Sequence, residues 1–292
     1  MIIPDFYAVF VCKAGACQHS CCRQSWEIDI DPATADYYAQ LPAPLGEELR
    51  QFMQKGPDGA YFAMEKGQCH FLRPDGLCRL VLELGEEALC DICALHPRFF
   101  EYPLDAAGKE WELGGVGLCC EKTCDLILQD APLTFVDSEA PEKAYSLADL
   151  LKVLGYEAAP ALLTYQAEKL PSQGLSYVQA LLKLMHQTEP IDDAWTQHVT
   201  ALIQQAEVLL AKIPAFVKTI PPAWLDRIYQ YLFYRQLEAY PNTKQLSHFA
   251  QVNTDFIVLS AALTGDLPEA LRRWSEQIEY DTDNVDLLMQ SL

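Results

Sequence analysis

The chain has 292 residues, half of them hydrophobic and 21% charged, enough to bury a sizeable core and to form two domains. Its net charge of −20 repels phosphate backbones and anionic membranes, so no nucleic acid and no membrane is expected as a partner, and a basic protein surface is favoured. The opening stretch from Met1 to Val11 has no basic region and carries Asp5, so it reads neither as a signal peptide nor as a membrane span, and a cytoplasmic location is expected.

In chain order, Ile28-Asp29-Ile30 alternates as a short edge strand, and Asp31-Pro32 has the chemistry of a helix cap and first turn, predicting a helix to about Leu41. A second helix is expected over Leu45 to Gln54 and a short strand over Tyr61 to Met64. Cys78 to Leu84 and Glu86 to Cys93 read as two short helices broken at Gly85. The stretch from Asp130 to Pro141 has two prolines, three acidic residues and weak periodicity, and is the candidate linker.

Beyond the linker, apolar residues recur at three- and four-residue spacing in six segments, near 145–154, 160–169, 175–188, 194–213, 222–239 and 247–263, and a seventh helix follows Pro268. Trp224, Ile228, Tyr231 and Tyr234 fall near helical spacing and read as packed core or a helix seam rather than a ligand pocket. The expected fold is therefore mainly α: an irregular, cysteine-rich metal-binding domain over 1–130, followed by an all-α helical bundle over 142–292.

All eleven cysteines precede residue 125. In a reducing compartment such usage favours metal ligation or thiol chemistry over disulfides. They fall into four groups: Cys12, Cys17 and Cys21-Cys22; Cys69 and Cys78; Cys90 and Cys93, with His96-Pro97-Arg98; and Cys119-Cys120 with Cys124. Thiolates two to four residues apart let a short loop wrap one ion or cluster. Cys90-x2-Cys93 is the strongest local signal, open to three readings: a zinc or cluster ligand pair, a thioredoxin-like redox pair, or coincidence. The redox reading requires a strand–helix context that is absent from the sequence. For Cys119 and Cys124 a buried, small apolar role is favoured. His96 is either a nitrogen ligand or a loop-fixing residue.

Several familiar motifs are missing. Neither Cys17-x3-Cys21 nor Cys120-x3-Cys124 is completed to C-x3-C-x2-C, because Gln24 and Ile127 hold the third position, so ordinary radical S-adenosylmethionine chemistry is not signalled. Gly115-Val116-Gly117 is a weak dinucleotide-loop fragment, and no P-loop is present. Glu27 and Asp29 form either a plain edge strand or an acidic mouth able to receive a lysine ammonium. Arg98 is a candidate to balance cluster charge or hold a carboxylate, with a surface salt bridge as the bland alternative.

Four ordered blocks carry a resemblance: Cys12, Cys17, Cys21-Cys22 with Trp26 and Ile28-Asp29-Ile30-Asp31; Cys69-His70-Phe71-Leu72 with Gly76-Leu77-Cys78; Leu84-Gly85-Glu86, Leu89-Cys90, Cys93 and His96-Pro97-Arg98-Phe99; and Leu118-Cys119-Cys120-Glu121 with Leu126-Ile127-Leu128. Together they resemble the flagellin lysine-N-methylase (FliB-like) family, related to the YkgJ-type cysteine-cluster proteins that chelate zinc or iron. The resemblance covers essentially residues 1–128. It implies methyl transfer from S-adenosyl-L-methionine to lysine side chains of flagellin or another lysine-bearing protein, with an iron–sulfur cluster, 4Fe-4S in type, or alternatively zinc. The matching thiols are Cys12, Cys17, Cys21, Cys22, Cys69, Cys78, Cys90, Cys93 and Cys120; His70 stands where the family often has proline. Glu27, Asp29 and Arg98 are the candidate catalytic residues. The competing readings are a non-catalytic metal-binding protein and a zinc-stapled interaction module.

Overall fold

A computed structural model describes residues 1–23, 26–105 and 107–291. Gln24, the position that leaves the first C-x3-C-x2-C incomplete, lies outside the described residues. The chain divides into two compact units: Val11–Arg98, and Met1–Phe10 together with Phe99–Leu292. The first strand, β1 (Ile2–Pro4), belongs to the larger unit.

The smaller unit contains β2 (Ile28–Ile30), α1 (Pro32–Gln40), α2 (Leu45–Phe52), β3 (Met53–Gly56), β4 (Gly59–Phe62), α3 (Arg79–Leu84) and α4 (Asp91–Leu95). The order β2-β4-β3 makes β2 the expected edge strand. Its alternation turns Ile28 and Ile30 inward and leaves Asp29 outside. As expected, Asp31 caps α1, its Oδ1 accepting from the Thr34 N–H at 2.9 Å; its Oδ2 also accepts from the Asp91 N–H at 3.1 Å, so one carboxylate ties the starts of α1 and α4 together. These amide donors hold the Asp31 carboxyl below the usual carboxylate range, with the Thr34 bond the largest cause. Tyr38, Leu49, Phe62, Phe71 and Leu80 pack into a small core that includes the Cys90 side chain. The helix expected over Glu86 to Cys93 is instead a 3-10 turn at Glu86–Ala88 followed by α4. The extended backbone of Leu89 and Cys90 separates the two.

The larger unit continues with β5 (Arg98–Glu101), β6 (Leu113–Val116), α5 (Glu121–Ile127), β7 (Phe135–Asp137) and β8 (Ala140–Tyr145). These strands form a five-stranded sheet ordered β5-β6-β1-β7-β8, with β1 parallel to β6 and antiparallel to β7. The stretch expected as a linker is therefore the β7–β8 hairpin. The sheet draws on the first ten residues and on 98–145, so the compact units part near residues 10 and 98, not at 130–141.

Helices α6 (Leu147–Val153), α7 (Lys169–Met185), α8 (Asp193–Phe216), α9 (Pro222–Arg235), α10 (Thr243–Thr264), α11 (Leu267–Ile278) and α12 (Thr282–Ser291) complete the unit, so mainly α is correct. Their starts follow the side-chain chemistry: a Ser146–Asp149 capping box, Asp192 accepting from the Trp195 N–H, and Asp266 accepting from the Glu269 N–H. The segment near 160–169 holds only a 3-10 turn, Pro160–Leu162, and α7 is kinked at Gly174, where φ is +78°.

Among the described residues, α8 with the turn that follows, Asp193–Thr219, is the one helix long and apolar enough to cross a membrane. Its Trp195, Val199, Leu202, Ala206, Leu209 and Ile213 nevertheless follow the stripe of a bundle helix and are buried against the protein. Helix α10 is the central one, buried without a break from Phe249 to Ala261. Its Asp255 accepts from Tyr165 Oη and Tyr177 Oη, each at 2.7 Å, and burial pushes that carboxyl up to about 6 despite these donors.

The aromatic line on α9 packs sheet against bundle, as its spacing suggested. Tyr231 Oη accepts from the Val116 N–H and donates to the Val116 carbonyl, both at 2.8 Å, while Tyr234 Oη lies 2.9 Å from the carbonyls of Ile2 and Gly114. Gly115 and Gly117, the weak dinucleotide fragment, are explained here: a Cβ on Gly115 would collide with the Phe99 ring and the Tyr231 hydroxyl, and one on Gly117 with Tyr280. Arg227, also on α9 and almost fully buried, donates to both Asp5 oxygens and to the carbonyls of Ile127, Ala131 and Pro132.

Candidate functional site

Eight of the nine expected thiols lie in the smaller unit, and loops rather than long elements position them. The loop of Cys12 and Cys17 wraps a short 3-10 turn, in which the Ala14 N–H donates to Cys12 Sγ at 3.3 Å. It packs on the turn before Cys78. A Cβ on Gly15 would stand 2.6 Å from the Asp75 carbonyl, and one on Gly76, whose φ is +79°, would stand 2.9 Å from the Gly15 Cα. Two glycines thus let the first and second cysteine blocks touch. A backbone bond from the Cys69 N–H to the Cys22 carbonyl, 2.9 Å, makes a second tie between these blocks.

Cys22, Cys69, Cys78, Cys90 and Cys93, drawn from three separated blocks, stand close enough to influence one another's ionisation. Cys78 and Cys90 each occupy the position just before a short helix, in extended backbone. The amides of Leu80 and Val81 consequently face the Cys78 sulfur, and the Cys93 amide faces that of Cys90. Phe71 supplies the same service to Cys69. Such donors favour a thiolate, whereas burial opposes it and dominates at Cys69, pushed up to about 11, and at Cys78, also raised. Cys22 moves the other way, down to about 7, because Cys21 hydrogen-bonds to it, with Ser20 and Arg23 adding to the effect against burial. Cys90 and Cys93 hydrogen-bond to each other, which makes Cys90 the more acidic thiol and Cys93 the one that keeps its proton. Tyr38 lies beneath them, fully buried, donating to the Ala88 carbonyl at 2.7 Å; burial and the neighbouring thiols hold its phenol neutral.

The eleven cysteines are all thiols. Among the described residues no three His, Cys, Asp or Glu side chains stand at ready-made metal-binding spacing. The donor set itself is chemically suited to a soft-ligand centre, being thiols supported by backbone amides.

The remaining candidates are placed as follows. Glu27 and Asp29 are exposed on and beside the edge strand β2, which accords with the bland reading of that strand. His96 is half-buried, its ring 6.0 Å from that of Trp26, and burial lowers its pKa. Arg98 is half-buried at the first position of β5. His70 stacks on Phe52 with ring centroids 3.4 Å apart, and its nitrogens face Glu48 at 2.8 Å and Glu65 at 3.2 Å. Glu48 also takes the Arg79 guanidinium at 2.7 Å; His70 first and Arg79 second hold its carboxyl below the usual range.

In the larger unit, Cys120 stands at the start of α5. Cys124 is buried and donates to the Leu118 carbonyl at 3.0 Å, while buried Cys119 hydrogen-bonds with Tyr280. Burial pushes both thiols up, in keeping with the packing role expected of them. Sequence reasoning missed Tyr38 beneath the thiols, and it missed the buried Glu101–Arg235 ion pair beside Glu279. No local motif announces either, because the partners come from distant elements.

No family model and no solved structure matches the chain. Flagellar biosynthetic protein FliU of Salmonella muenchen is 27% identical over 137 residues, covering 44% of this chain and 76% of that protein. The lysine-N-methylases of Salmonella typhimurium and Salmonella choleraesuis are each 27% identical over 134 residues, again 44% of this chain, which spans only 32% of their length. Over 44% of its length, then, the chain is similar to a flagellar biosynthetic protein and to two lysine-N-methylases.

Proposed function

We propose that this protein is a cytoplasmic, S-adenosyl-L-methionine-dependent lysine N-methylase acting on flagellin or another lysine-bearing protein, with an iron–sulfur cluster held in the smaller unit. The observation that carries the reading is that Cys22, Cys69, Cys78, Cys90 and Cys93, from three sequence blocks, lie within electrostatic reach of one another, taken with the similarity to lysine-N-methylases. A 4Fe-4S cluster takes about four thiolates, so this group suffices, with Cys12, Cys17 and Cys21 as the further candidates in that unit. When bound, a cluster supplies an iron able to hold the amino and carboxylate ends of the methyl donor.

The reaction breaks the sulfonium S–CH3 bond and forms an N–CH3 bond on lysine. The electron pair of the broken bond remains on sulfur, giving S-adenosylhomocysteine, and lysine gives up one proton. The amine must therefore arrive neutral and in line with the methyl group. Glu27 and Asp29, exposed carboxylates on one edge, are suited to attract the ammonium and take part in its deprotonation. Arg98 is suited to meet a carboxylate.

Anaerobic purification tests the cofactor. The expected result is a brown protein with about four iron and four sulfide per chain; a colourless protein with stoichiometric zinc overturns the cluster and supports the zinc-stapled alternative. Incubating the brown protein with methyl-labelled S-adenosylmethionine and flagellin tests the reaction. Label on lysine is expected, and its absence leaves only a metal-binding protein.

A further inference from the structure

The larger unit carries a groove of about 490 Å3, within the range of about 300–1,000 Å3 typical of ligand sites. Tyr102 and Leu104 line it after β5, Glu110 from the returning arm of the same hairpin, Tyr156 after α6, and Glu238 and Pro241 between α9 and α10. Its walls are aromatic, aliphatic and proline surface, and its charged lining groups are both carboxylates. Tyr102 and Leu104 are 46% and 60% exposed, large apolar surfaces left open to solvent. The Tyr102 N–H donates to Glu238 Oε2 at 2.9 Å, which fixes one carboxylate beside the exposed tyrosine, and the Leu104–Glu110 bridge fixes the other arm. The basic residue of that hairpin, Lys109, is held elsewhere, 4.0 Å over the Trp111 ring.

We infer that this groove docks a lysine-bearing segment of a partner protein, the ammonium meeting Glu110 and Glu238 while its methylene stem lies along Tyr102, Leu104 and Pro241. Charge complementarity selects this occupant. A lysine combines a point cation with a long apolar stem, which is the pairing of surfaces that the groove offers. A protein of net charge −20 repels acidic segments from the same place. The inference deepens the proposed reading by naming a substrate-docking surface, and it rests on that reading only for the identity of the partner.

The test is fluorescence anisotropy with the full chain and a labelled peptide alternating lysine and serine, without S-adenosylmethionine. Expected are saturable binding, about tenfold weaker binding for Glu110→Gln and for Glu238→Gln, and a comparable loss for Tyr102→Ala. The amide oxygen introduced by Glu238→Gln still accepts from the Tyr102 N–H, and Glu110→Gln disturbs no hydrogen bond that holds the fold. Glu207→Gln, an exposed change on α8, should leave affinity unaltered. Equal affinity for all variants, equal weakening by Glu207→Gln, or equally tight binding of spermidine each overturns the inference. Methylation is read separately: label transfer with unaltered peptide affinity in the groove variants sinks the groove alone. Groove-dependent binding without transfer sinks the methylase reading alone.

Discussion

The backbone N–H of Cys69 donates to the carbonyl of Cys22 at 2.9 Å, joining two cysteine blocks that are far apart in sequence. The bond brings the thiol-bearing loops together through their main chain. Thiol placement therefore depends on loop packing, and the glycine contact between Gly15 and the Asp75–Gly76 turn is its second anchor.

Gly15→Ala should loosen that anchor, since its new Cβ meets a backbone carbonyl that has no flexible end to swing away. A loss of about 1–3 kcal/mol in stability is expected. Urea unfolding together with metal content checks it: unchanged stability and unchanged metal would show that the two loops do not depend on this contact.

Thiol substitutions should divide by location. Cys69→Ala and Cys90→Ala are expected to lose most bound iron, or zinc if zinc is the resident metal. Cys124→Ala should keep it, because the Cys124 sulfur is spent on the Leu118 carbonyl inside the core. Metal analysis of the purified variants decides, and iron loss in Cys124→Ala equal to that in Cys90→Ala would contradict the division.

Glu101 gives a pH dependence with a definite sign. Burial pushes its carboxyl up to about 7, with Arg235 opposing and Glu238 adding to the shift. The folded state therefore holds this proton more tightly than the unfolded chain does. The resulting stability is fully present below the unfolded carboxylate value of about 4.3 and is lost as pH rises through about 7. Wild type should accordingly weaken relative to Glu101→Gln by about 1–3 kcal/mol between pH 5 and pH 8. Parallel stability curves for the two proteins over that range would refute the assignment.

Tyr231→Phe removes a hydroxyl that serves both the N–H and the carbonyl of Val116 inside a fully buried seam. Leaving those groups unpaired should cost about 1–3 kcal/mol. Thermal unfolding measures it, and a melting temperature equal to wild type would mean that the backbone finds other partners.

Arg227→Leu strips Asp5 and three backbone carbonyls of one shared donor. A loss of about 3–5 kcal/mol is expected, as for other broken buried ion pairs. Limited proteolysis should then cut the first ten residues sooner; an unchanged cleavage pattern would count against their being held by this arginine.

What the sequence determined by itself is local. Helical periodicity and capping residues located α6 and α8 to α11, Asp31-Pro32 announced α1, and the alternation of Ile28 and Ile30 announced an edge strand, because caps and one-sided burial act within a turn or two of the chain. The spacing of Tyr231 and Tyr234 on one helix face likewise marked a packed seam. The five-stranded sheet was not legible. Its strands are only three to six residues long, and its order is set by partners drawn from both sides of an inserted unit, so the stretch with linker composition became a hairpin. Cysteine spacing likewise named the blocks but could not say which thiols meet. Only tertiary structure decided that Cys22, Cys69, Cys78, Cys90 and Cys93 stand near enough to affect one another's ionisation while Cys119 and Cys124 are packed away, because that outcome depends on long-range backbone bonds, glycine contacts and burial.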